Sequence, residues 1–128
     1  NYVGAPLWDL HELFKAHDSK YLSVGFDMSH ATAEGTRAWQ LHANLLRPRI
    51  GALYIKSFRW KDNKRDNCGL AEGIVDSKYP KQLIKSGFTG PINLHVEYLK
   101  PFTRENVPNQ IAAIKKDTAT LKEWLNWD

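Results

Sequence analysis

Hydrophobic side chains recur along the chain with two periods, and the two periods alternate. Leu7, Leu10, Leu13 and Phe14 return at helical spacing, which predicts a helix over 6–17 with Pro6 in its first turn. The stretch YLSVGFD then alternates strictly. Leu22, Val24 and Phe26 fall on one side and Ser23, Gly25 and Asp27 on the other, so a strand is expected over 21–27. Ala38, Leu41, Leu45 and Leu46 predict a second helix over 33–46, ending ahead of Pro48.

The order then repeats. In IGALYIKSF, Leu53 and Ile55 share one face while Ala52, Tyr54 and Lys56 share the other, predicting a strand over 50–56. A long polar loop holding Gly69 and Gly73 is expected next, then a short helix over 78–86 closed by Gly87. PINLHVEY reads as a third strand over 92–97, with Ile92, Leu94 and Val96 opposed to Asn93, His95 and Glu97. A last helix over 107–124 carries the apolar stripe Ile111, Ile114, Leu121 and Leu125.

Strands separated by helices argue for an α/β fold of parallel βαβ units in a single domain, residues 1–128. Each strand has one apolar face and one face that is small at its start and polar at its end. That gradient predicts part of a barrel. In a (β/α)8 barrel the inward side chains near the strand C-termini form the floor of the site, whereas an open doubly wound sheet is apolar on both faces. Asp27, Tyr54, Lys56 and Glu97 are then expected to converge at one mouth.

Composition changes this picture little. The chain has 128 residues, 42% hydrophobic and 25% charged, enough for one domain with a core and unlike a disordered or fibrous sequence. No apolar run approaches the roughly 20 residues needed to cross a bilayer. The first residues lack the basic and apolar regions of a signal peptide, so a cytoplasmic protein without a membrane partner is expected. Cys68 is the only cysteine, which excludes an internal disulfide and a cysteine-based zinc cluster; it reads as an inert loop thiol.

The net charge of +4 is modest and does not identify a nucleic-acid binder. The densest basic stretch, RWKDNKRDN from Arg59, reads as a solvated loop, with contact to a sugar phosphate as the sharper alternative. The chain starts at Asn1 and not at a methionine, which raises the expectation of a processed product or a piece of something longer.

Four blocks in this order, VGFDMSHATAEG, LYIKSFRW, GLAEGIVD and GFTGPINLHVEYL, resemble the C-terminal half of the xylose isomerase-like TIM barrels, the sugar phosphate isomerase/epimerase family. The resemblance covers nearly the whole chain and implies that it supplies strands six to eight of the barrel. It implies a divalent metal, manganese or magnesium, that binds neighbouring sugar oxygens while glutamates move a proton through an enediolate. Asp27 would be a metal ligand, and Glu97 both a ligand and the catalytic base. His30 would contact substrate oxygens, Lys56 would stand beside the metal site, and Lys56, Tyr54 and Arg59 are further substrate-binding candidates. The chain departs from the family's HVKD block, where YIKS places Tyr54 at the histidine and Ser57 at the aspartate. The family's other ligand glutamate is expected ahead of Asn1.

Several of these residues carry a plainer reading as well. Asp27 can be a strand-end turn former or helix cap. Glu97 can be half of an ion pair with Lys56, and His95 a satisfied core histidine. Tyr54 and Trp60 can stack on a sugar or fill a core.

The leading expectation is a fragment of a metal-dependent sugar or sugar-phosphate isomerase/epimerase. The alternative is an inactive or binding-only relative, favoured by Tyr54. An apurinic-site endonuclease-like barrel ranks last, because histidine-rich zinc clusters do not match a tyrosine at 54. A full barrel takes about 250 residues. Three strands would leave two unpaired edges and an uncovered inner face. The isolated chain is therefore expected neither to turn over substrate nor to remain a compact monomer, and to need an N-terminal half-barrel or a second copy of itself.

Overall fold

The computed structural model describes residues 6–35 and 38–127. Within them lies a mixed α/β arrangement: α1 (Leu7–Phe14), β1 (Val24–Asp27), α2 (Met28–Gly35), α3 (Trp39–Leu46), β2 (Ile50–Ile55), β3 (Ser57–Lys61), β4 (Lys64–Cys68), α4 (Tyr79–Lys85), β5 (Ile92–Leu94) and α5 (Val107–Leu125). Short 3-10 turns fall at Arg47–Arg49, Leu70–Glu72 and Arg104–Asn106. No helix among the described residues is long and apolar enough to cross a membrane.

β1, β2 and β5 form a parallel sheet in that order. Their alternation is the one read from the sequence. Val24, Phe26, Leu53 and Ile55 are buried, and they pack with Leu7, Ala43, Leu46, Leu83, Leu121 and Leu125 from the helices. Phe26, Trp39 and Tyr79 meet as an aromatic trio, with ring centroids 4.7–6.1 Å apart. Such pairs contribute about 0.5–1.5 kcal/mol each beyond their buried area. The opposite face stays open among the described residues: Ser23 and Gly25 are exposed, and Ala52, Tyr54, Asn93 and His95 are half-buried.

Ile50 and Leu53 are both buried although three residues apart, which a regular strand does not allow. The register shifts between Val24/Gly25, so that Val24 pairs with Ile50 and Gly25 with Ala52. The extra residue, Gly51, absorbs the mismatch; a Cβ there would come within 2.5 Å of Ser23 Oγ.

Four local expectations are corrected. The helix expected over 33–46 is two helices, and the first begins at Met28, because Asp27 caps it. Asp27 Oδ1 accepts the backbone N–H groups of Ser29 at 2.9 Å and His30 at 3.1 Å, the second and third residues of the helix. The polar loop after β2 is largely an antiparallel hairpin, β3 with β4. Its turn residues Asp62 and Asn63 have φ of 49° and 57°, the left-handed pair that a two-residue hairpin turn requires. Cys68 is therefore a buried strand-end thiol and not a loop thiol. The third strand ends at Leu94 instead of Glu97, although His95 N–H still donates to Ile55 O at 2.8 Å.

Beyond β5 the chain is fastened to α5. Asp117, 1% exposed, accepts the Leu70 N–H on Oδ1 at 3.0 Å and the Tyr98 hydroxyl on Oδ2 at 3.1 Å. Burial, reinforced by the Asp117 carboxylate, pushes the Tyr98 phenol up to about 12. The clasp fixes the residue next to Glu97.

Candidate functional site

Asp27 is the last residue of β1, Lys56 directly follows β2, and Glu97 lies just past β5. All three stand at the C-terminal ends of parallel strands, the end at which α/β sheets gather ligands. The Lys56 ammonium joins them, at 3.0 Å from Glu97 Oε2 and 3.3 Å from Asp27 Oδ2. Lys56 is 8% exposed. An ammonium so enclosed needs this double pairing to offset its lost hydration.

Asp27 thus fulfils both of its readings, since Oδ1 caps α2 while Oδ2 faces Lys56. His30 stands over the same edge, with Nε2 3.7 Å from Asp27 Oδ2. Its Nδ1 is 2.9 Å from an Arg65 guanidinium nitrogen and 3.8 Å from Glu34 Oε1. Arginine can only donate, so in neutral His30 the Nδ1 accepts and the proton sits on Nε2, towards Asp27. Burial depresses the His30 pKa. Asp27 opposes that shift, while Arg65 and Lys56 reinforce it.

Glu97 is held below the usual carboxylate range. Burial works against this, but the Lys56 hydrogen bond and charge, with help from His95 and His30, prevail. Glu34 is shifted upwards by burial. His95 Nδ1 lies 3.4 Å from Glu97 Oε1 but makes no hydrogen bond.

The remaining expected site residues are distributed less closely. The Tyr54 ring packs across Gly25, where a Cβ would come within 2.8 Å of it, and stands 5.1 Å from the His95 ring. Arg59 is on the other face of the hairpin from Arg65, paired at 3.0 Å with Asp66 across the strands. Trp60, exposed, rests edge-on against Phe58. Sequence reasoning missed Arg65 and Glu34. Arg65 becomes legible only through the hairpin register, which sets it opposite Trp60. Glu34 carries the weaker signal of lying one helical turn after His30.

The cluster as built holds an ammonium between its two carboxylates. Each inner carboxylate oxygen already faces Lys56, and Asp27 Oδ1 is engaged by two backbone donors. Among the described residues no group of three or more histidine, cysteine, aspartate or glutamate side chains converges as a metal-holding set. What the arrangement offers chemically is a buried positive charge between two acceptors, rimmed by a neutral imidazole and a guanidinium. In comparisons with protein-family models and with curated proteins, no match to the chain was found.

Proposed function

We propose that the chain is the C-terminal half of a (β/α)8 barrel of the xylose isomerase-like kind, and that the assembled barrel isomerises or epimerises a sugar or sugar phosphate. The observation that carries this reading is the meeting of Asp27, Lys56 and Glu97 at the C-terminal ends of three parallel strands. An N-terminal half-barrel, or a second copy of the chain, would complete the wall opposite Tyr54, Asn93 and His95.

The chemistry follows from the residue types. Glu97 takes a carbon-bound proton from the carbon next to the sugar carbonyl. The C–H electron pair becomes the C=C bond of an enediolate, and the carbonyl oxygen gains the negative charge. The Lys56 ammonium stabilises that oxyanion in a partly desolvated setting, where a fixed charge acts more strongly than in water. Asp27 and His30 orient the neighbouring hydroxyls. Return of the proton by Glu97 to the adjacent carbon, with the neighbouring hydroxyl's proton passing to the former carbonyl oxygen, gives an isomer; an epimer would need a second acid on the opposite face, which the other half of the barrel would have to supply. The lowered Glu97 pKa keeps the base ionised at neutral pH but reduces its basicity. Arg65 offers a guanidinium for the phosphate of a phosphorylated substrate.

The test is exchange of the sugar's carbon-bound hydrogen with D2O, followed by NMR with the chain in its assembled form. Exchange that Glu97→Gln abolishes supports the reading. Exchange unaffected by that substitution, or none with any ketose or aldose tried, contradicts it. A binding-only role for the same site is favoured by one observation, the Lys56 clamp on both carboxylates, and predicts sugar binding without exchange.

A further inference from the structure

We infer that Lys56 supplies from within the chain the positive charge that the resemblance assigns to a divalent cation, so that the site works without a metal. The inference rests on the sugar-site reading above for its ligand alone. Its own basis is the position of the Lys56 ammonium between the two carboxylates, with a further Asp27 oxygen engaged in the cap of α2. Glu97 Oε2 and Asp27 Oδ2 face the Lys56 ammonium at 3.0 and 3.3 Å. Asp27 Oδ1 caps α2 through the N–H groups of Ser29 and His30, and Glu97 Oε1 is turned to His95 at 3.4 Å.

A magnesium ion draws carboxylate oxygens to about 2.0–2.1 Å in near-octahedral geometry. Reaching that here would place a doubly charged ion against an ammonium that is 8% exposed and already faces both carboxylates. Tyr54 removes a further donor. It stands where the resemblance implies a histidine ligand, yet its ring is committed to Gly25 and His95, and a neutral phenol is a poor ligand for such metals.

The ammonium also brings something a metal would have brought. It has three N–H donors; it bonds Glu97 and faces Asp27 at 3.3 Å. That leaves capacity to donate to a ligand oxygen on the open face of the sheet. The Asp27 and Glu97 oxygens beside it accept from neighbouring hydroxyls. The ligand class is therefore a polyhydroxy compound with a carbonyl next to a hydroxyl, recognised through one donor and two acceptors.

The experiment is a Mn2+ titration of the chain in its assembled form, wild type and Lys56→Met, read by the EPR signal of free Mn2+ and by broadening of the Ser29 and His30 amide resonances. Wild type is expected to give no saturable one-to-one site, and Lys56→Met, with its carboxylates released, to gain affinity by about tenfold or more. Saturable wild-type binding in the micromolar range with both amides broadened overturns the inference, and so does a folded Lys56→Met that gains nothing. Should Lys56→Met fail to fold by circular dichroism, Lys56→Gln replaces it, and the wild-type titration decides independently. A parallel titration with a ketohexose 6-phosphate in EDTA separates the two readings: absent sugar binding, together with the expected metal result, contradicts the sugar site and leaves the role of Lys56 standing.

Discussion

Lys56 and Glu97, 41 residues apart in sequence, are joined by a hydrogen bond of 3.0 Å from Nζ to Oε2. The bond crosses from the end of β2 to the segment after β5, and Asp27 completes it from β1. One buried ammonium therefore holds the ends of all three parallel strands in register at the point where the candidate chemistry sits.

Removing that ammonium leaves two carboxylates facing each other. Losing one partner of a fully buried pair costs about 3–5 kcal/mol. The Glu97 side chain is 42% exposed, so water screens part of the loss. Lys56→Met is expected to lower stability by about 2 kcal/mol in urea unfolding. A change within a few tenths would mean that the three strand ends do not depend on the pair.

The acid side of the stability profile should fall in two stages. His30 has a pKa lowered from 6.5 by burial, so the fold favours its neutral form. That contribution is fully present above the unfolded pKa and is lost as pH falls from about 6.5 through the lower folded value. Glu97, lowered from 4.5, acts in the same direction further down: its contribution is lost as pH falls through its folded value. Urea unfolding across pH 3–8 checks this, and His30→Gln should flatten the upper stage alone.

Asp117→Ala is expected to destabilise by about 2–4 kcal/mol, because the Leu70 N–H and the Tyr98 hydroxyl both lose their acceptor. The same substitution should weaken sugar binding by loosening the segment that carries Glu97. Thermal unfolding and a binding titration on one sample measure both effects.

The type of most elements was legible in the sequence, because β1, β2 and α5 bury one clean face. Boundaries and the hairpin were not. Alternating basic and acidic residues from Arg59 to Asn67 bury little, so hydrophobic periodicity has nothing to register there. The Asp-Asn turn signal is also weaker than Asn-Gly. The start of α2 was hidden because it rests on one cap, Asp27, and not on apolar spacing. For the site, reading the strand ends anticipated that the Asp27, Lys56 and Glu97 side chains meet, although Glu97 lies three residues past β5 and outside any strand parity. Parity could not say that the lysine lies between the two carboxylates, since that depends on side-chain reach across three strands.

Hairpin strain offers a separate check. Asn63 occupies φ of 57°, which glycine adopts without penalty. Asn63→Gly is expected to leave the fold unchanged, with stability within about 0.5 kcal/mol of wild type, while Asn63→Val should lose about 1–2 kcal/mol. Equal stability of the two variants by urea unfolding would argue against this turn.

The most direct measurement of the central claim, a sugar site built on Asp27, Lys56 and Glu97, is an amide and side-chain NMR titration of the chain in its assembled form with a ketohexose 6-phosphate in EDTA. The Ser29 and His30 amides are bonded to Asp27 and report on it without touching the ligand. Shifts centred on Ser29, His30, Lys56, Arg65 and Glu97, lost in Lys56→Met, are the predicted result. Saturating shifts that map to the helical side of the sheet, or no shifts at these residues at any sugar concentration, would contradict it.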